Sequence, residues 1–103
     1  MFFIYVLHLI PRLMDDQAWT KDDEHYVSDH FDRLKKDTAE GFVLLAGRTS
    51  QTDETGFGIV IFQANSLIEA QDYMANDPAV LNGIMTADVH EFRLALWSPT
   101  YQK

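Results

Sequence analysis

The period of apolar and polar positions changes several times along the chain, and each change marks an element. Phe2–Ile10 (FFIYVLHLI) is apolar at nearly every position, rich in β-branched and aromatic residues, and stops at Pro11. That composition predicts a strand. The strand does not alternate, because Phe3, Tyr5 and Leu7 on one side and Phe2, Ile4 and Val6 on the other are all apolar. Both of its faces therefore call for cover. Residues 11–19 read as a connection. From Thr20 the period becomes helical, with Tyr26, Val27, His30, Phe31 and Leu34 at i, i+3, i+4 spacing. Thr20 is the expected N-cap, and Asp22, Asp23 and Glu24 fill the first turn, where the helix dipole favours them. Asp29–Arg33 and Asp32–Lys36 stand as i,i+4 pairs on the remaining surface. The helix should run to Asp37 or Thr38 and stop at Gly41.

Phe42–Ala46 predicts a second strand ending at Gly47, the polar segment Arg48–Gly56 a loop, and Phe57–Gln63 a third strand. Ser66-Leu67-Ile68-Glu69 is a capping box that opens a second helix, with Leu67, Ala70, Tyr73 and Met74 on its apolar side. Asp77-Pro78 ends it, since proline disfavours helical geometry in the residue before it. Pro78–Asn82 forms one more short turn before Gly83. Val89–Trp97 alternates, with His90, Phe92, Leu94 and Leu96 against Val89, Glu91, Arg93, Ala95 and Trp97, and predicts the fourth strand. The order β-α-β-β-α-β matches the ferredoxin-like plan, an α+β fold with a four-stranded antiparallel sheet and two helices on one face. The other face is left open, although the first strand is apolar on both sides. A second copy of the chain is the simplest cover, so the expected unit is a homodimer with sheets face to face, a dimeric α+β barrel. One domain is expected over 1–97, with a C-terminal tail at 98–103.

Composition narrows the function classes. With 103 residues, 47% hydrophobic and 23% charged, the chain has the profile of one soluble globular domain. Eight Lys+Arg against sixteen Asp+Glu give a net charge of −8, which opposes nucleic acid and anionic membrane surfaces. There is no cysteine, so disulfides, thiolate metal sites and cysteine nucleophiles are excluded. The run Phe2–Ile10 is far short of the roughly 20 apolar residues of a membrane span. It has neither the basic leader nor the small-residue cleavage site of a signal peptide. The expected compartment is the cytoplasm.

The segments His30…Gly41-Phe42-Val43-Leu44-Leu45-Ala46-Gly47, Ser66-Leu67-Ile68-Glu69-Ala70, Asp77-Pro78-Ala79-Val80 and Gly83 occur together at distances that resemble the YCII-related family. The resemblance spans nearly the whole chain. It implies a ferredoxin-like fold, a dimeric α+β barrel and a His–Asp pair proposed as catalytic. Residue by residue, His30 matches the family His and Asp77 the family Asp. Some members are linked to the breakdown of aromatic compounds by an elimination. Arg48 departs from the pattern, standing after Gly47 where the family often has proline, so the loop Arg48–Gly56 inherits nothing from the resemblance.

The residues carry their own chemistry. His30 sits inside an apolar helical stripe. Its plain reading is a half-buried histidine bonded to a backbone carbonyl. Its functional reading is a general base or acid, because imidazole titrates near neutrality. Asp77 before proline is an ordinary turn residue, but a carboxylate at a helix C-terminus also seeks a cation or donor, and His30 would serve. Tyr5 and Tyr26 are candidates for a pocket wall. Arg48 is a candidate for a substrate carboxylate, with Arg93 as another. His8 and His90 fall toward neighbouring strand ends, but no HxH or HExxH spacing supports a metal site, and none is expected. Gly56-Phe57-Gly58 lacks the context of a dinucleotide loop, and no GxSxG elbow exists, so no cofactor is expected. The function read here is a small-molecule lyase or isomerase that abstracts a proton with His30 and Asp77 and acts on an aromatic or carboxylated compound. The alternatives are a non-catalytic ligand-binding or sensing dimer with the same pocket, and a pure oligomerisation domain.

Overall fold

The computed structural model describes residues 1–101. Four strands, β1 (Phe2–Leu9), β2 (Val43–Arg48), β3 (Gly58–Gln63) and β4 (Met85–Phe92), form one antiparallel sheet in the order β2-β3-β1-β4. Helices α1 (Lys21–Ala39), α2 (Leu67–Ala75) and the short α3 (Pro78–Leu81) complete the ferredoxin-like α+β fold. β1 lies inside the sheet, between β3 and β4, and its burial alternates strictly. Phe3, Tyr5 and Leu7 face the helices and are buried with Val43, Val60, Phe62, Leu34 of α1 and Ala70 of α2. This side holds the main core.

Local sequence explains the helix ends. Thr20 accepts from the Asp23 N–H while the Asp23 carboxylate accepts from the Thr20 N–H, a reciprocal capping box that satisfies two otherwise orphaned donors. The Ser66 box is only half closed. Ser66 accepts from the Glu69 N–H, but the Glu69 carboxylate reaches back to the N–H of Asn65. Gly41 takes a left-handed φ of 81° just past α1, which a side chain would resist. The connection at 11–19 folds into two short 3-10 turns. Arg12 pins them by pairing with both carboxylate oxygens of Asp23 at 2.8 and 2.9 Å and donating to the Ala18 carbonyl at 3.0 Å.

The fourth strand lies upstream of its expected place. It starts at Met85, because Gly83 (φ 74°) turns the chain and Ile84 bonds to both Ala79 and Ile10. It ends at Phe92, which pairs with Phe2. Phe2 is the first residue of β1, so Arg93–Trp97 have no strand beside them and lie outside the sheet. Leu96, Trp97 and Tyr101 are exposed. Residues 102–103 of the expected tail lie outside the described residues.

Among the described residues, the face of the sheet away from the helices has no second layer. The register gathers Phe2, Ile4 and Val6 of β1 with Ile59 and Ile61 of β3, Leu45 of β2 and His90 and Phe92 of β4 on that face. Ile61, at its centre, is buried by its neighbours, while Leu45 and the adjoining Phe57 are exposed. The first strand is therefore apolar on both sides but sealed on one.

Candidate functional site

Asp77 occupies an unusual position for a carboxylate. It follows α2, and Pro78 holds its backbone extended (φ −58°, ψ 124°), so it becomes the N-cap of α3. The sequence suggests a carboxylate facing the unfavourable end of a helix dipole. Instead, its Oδ1 accepts from the Ala79 N–H at 3.0 Å. The side chain is completely buried. Three groups satisfy it: the Ala79 N–H, the Tyr5 hydroxyl donating to Oδ2 at 2.7 Å, and Nδ1 of His30 at 2.6 Å from Oδ1 and 2.8 Å from Oδ2.

His30 projects from the middle of α1, and its side chain is 13% exposed. It bonds a carboxylate, not the backbone carbonyl of the plainer reading. Because the Asp77 carboxylate accepts, Nδ1 carries a hydrogen, and in the neutral imidazole the lone pair then sits on Nε2. Nε2 has no partner among the described residues and is not one of the polar atoms sealed inside them, so it reaches the surface. Burial pushes the Asp77 carboxyl up, but the bond and charge of His30, with the Tyr5 and Ala79 donors, outweigh it and hold it below the ordinary carboxyl value. Burial, followed by the charge of Asp77 and its hydrogen bond, pushes the Tyr5 hydroxyl far above the ordinary tyrosine value. Tyr5 therefore stays a proton-bearing donor.

The structure brings some of the expected residues together and leaves others apart. Tyr5 is part of the constellation as a buried donor to Asp77, not as a surface of a pocket. Tyr26, one turn before His30 on α1, is half-buried against the cluster of Leu13, Ala79 and Ile84. Arg48 is not brought to the pair. It is exposed at the end of β2, opposite Gly58, and lines a shallow depression of about 310 Å³ with Gly47, Thr49, Phe57 and Ile59. Arg93 is exposed after β4. His8 and His90 do not meet, because the register sets His8 against Thr86 and His90 against Ile4. Among the described residues no group of three His, Asp or Glu side chains is arranged to hold a metal ion.

One residue of this neighbourhood departs from the pairing its spacing suggests. Arg33, a turn beyond His30, does not pair with Asp29, which instead meets His25 at 3.3 Å. Arg33 turns inward. Its Nη2 donates to the Tyr73 carbonyl at 2.8 Å, and its guanidinium carbon lies 3.8 Å from the centre of the Tyr73 ring. That carbonyl belongs to the last turn of α2, where intrahelical donors run out. The Tyr73 hydroxyl donates to Asp37 at 2.6 Å, so α1 and α2 are tied twice beside the His30–Asp77 pair. The only signal in the sequence was the i+3 spacing from His30, which puts both on one side of the helix.

No curated protein matches the chain. Among solved structures it is similar to 5-chloro-2-hydroxyhydroquinone dehydrochlorinase from Burkholderia phenoliruptrix AC1100, determined in complex with 2,5-dihydroxybenzoquinone. The two share 19% identity over 92% of this chain and 96% of that one, with a TM-score of 0.62, a likeness of fold. Residues 1–93 match the model of the YCII-related domain, and the chain belongs to that family.

Proposed function

We propose that the protein is a small-molecule enzyme of lyase or isomerase type in which His30 is the general base and Asp77 orients it. The observation that carries this reading is the arrangement of the imidazole. Nδ1 is held by a fully buried carboxylate, and Nε2 is left free at the surface. A base needs a fixed tautomer and a partner that stabilises its protonated form, and Asp77 supplies both. Nε2 takes a proton from an O–H, or from a C–H beside a carbonyl. The released electron pair forms the new double bond, and a leaving group departs with its own pair. The reading calls for no cofactor. The ring chemistry in the name of the structural neighbour supports an aromatic, oxygenated substrate class.

The test uses 5-chloro-2-hydroxyhydroquinone as the first substrate and follows chloride release. Release by the wild type that is lost in His30→Ala, with the melting transition preserved, supports the assignment. Equal release by the two proteins removes it.

We also propose that the working unit is a homodimer joined through the open sheet face. The apolar side chains of Ile4, Val6, Ile59 and Ile61 on that face support it. The domain at 1–97 with a tail at 98–103, in the cytoplasm, goes with this reading.

A further inference from the structure

Arg33 carries a feature that the pairing of His30 with Asp77 does not explain. Its Nη1 is buried and has no hydrogen-bond partner, the one such side-chain polar atom among the described residues. A buried donor on a charged group is costly to leave unpaired, and native structures rarely do so without a reason. No nearby carboxylate is available to it. Asp77 is engaged by His30, Tyr5 and Ala79, and Asp37 accepts from Tyr73. Arg33 makes no ion pair among the described residues. It stands one turn from His30 on the same side of α1 and lies against Tyr73, whose ring is 6.2 Å from that of Tyr5. Its charge is felt at the hydroxyls of both tyrosines, where it opposes their upward shift. The chain as a whole carries −8, so any anion that approaches it is repelled at long range and needs a dedicated cation at short range.

We propose that Arg33 is the anion-binding group of the His30 site: its spare Nη1, covered in the free protein, is uncovered when a molecule seats at His30 Nε2 and takes that molecule's carboxylate or phenolate oxygen. The guanidinium fork suits this task. One arm is fixed on the Tyr73 carbonyl, which pre-orients the other. The inference rests on the reading of His30 as the group that meets substrate, and it assigns that substrate a negative charge. Arg33 thereby takes the role that Arg48 holds in the sequence reading.

The test is an NMR titration of the isotope-labelled protein with benzoate, 4-nitrophenolate and benzyl alcohol, following the side-chain resonances of His30 and Arg33. At least one anion should shift both sets saturably and bind about ten-fold or more tightly than benzyl alcohol, the gain expected from a hydrogen bond to a charged group. The tighter of the two anions identifies the kind of oxygen. Arg33→Met should abolish the preference, and Arg33→Lys should keep part of it. Benzyl alcohol binding as well as both anions overturns the proposal, as does the absence of any saturable shift, and neither result depends on how a variant folds. A folded Arg33→Met with undiminished preference overturns it too. His30→Ala should retain the preference, read at Arg33. Retained preference with unimpaired turnover in that variant would remove the base assignment and leave the anion site standing.

Discussion

Tyr5 and Asp77 are joined by a 2.7 Å hydrogen bond between two fully buried side chains that stand 72 residues apart. The hydroxyl is the donor that fixes the carboxylate from the sheet side, while His30 holds it from the helix side. Tyr5→Phe keeps the ring in the core and removes only this donor. It should cost about 1.5–3 kcal/mol, the range for a hydrogen bond to a charged group. Urea unfolding of the variant against wild type measures it, and an unchanged midpoint would show that the bond carries no stability.

Asp77→Asn keeps the volume but removes the charge, and it places an amide where three donors converge. At least one of the Ala79, Tyr5 and His30 donors then faces another donor. The expected loss is about 1–3 kcal/mol, with turnover falling further than stability because the imidazole loses its anionic partner. Unfolding curves and chloride release on the same preparation separate the two effects.

The fold was legible where local chemistry decides it. Thr20 and Gly41 bracket α1 because capping and left-handed geometry are properties of single residues. The fourth strand was displaced because a period of two runs on past Phe92, and its end is set by where β1 begins. His30 and Asp77 could be picked out through the family resemblance. No periodicity shows that side chains 47 positions apart touch, and that contact depends on the docking of α1 beside α3. The inward turn of Arg33 is not legible, because its spacing fits an outward pair with Asp29 equally well. The choice lies in the Tyr73 carbonyl and ring, which only the folded chain puts within reach.

Acid should destabilise the protein through its held carboxylates. The carboxyls of Asp77 and Asp23 both lie below their ordinary value in the folded chain; for Asp23 the leading cause is the Arg12 hydrogen bond. The folded state then binds fewer protons than the unfolded state, so this stabilisation is present above the ordinary carboxyl range and is lost as pH falls through it. Arg12→Gln should lower the melting temperature at neutral pH, and the gap from wild type should close on acidification. Melting curves from pH 7 down to about pH 2 test this across the range where carboxyls titrate. A gap that widened on acidification would reverse the assignment.

The open sheet face makes a separate demand. Ile4→Lys puts a charge at its centre while leaving the helix-side core untouched. We expect sedimentation equilibrium to give a dimer for the wild type and a monomer for the variant, with matching circular dichroism. A wild type that sediments as a monomer at micromolar concentration would end the dimer proposal.

The Tyr5–Asp77–His30 contact draws on three segments that are remote in sequence: β1, α1 and the turn into α3. Helices and turns form from near neighbours, and pairings across long loops close more slowly. The sheet itself shares this cost, because β1 pairs Phe2 with Phe92 of β4. Local helix signals are therefore expected to return first in a refolding chain, and the carboxylate to gain its Tyr5 and His30 donors only with the long-range docking of β1, α1 and α3.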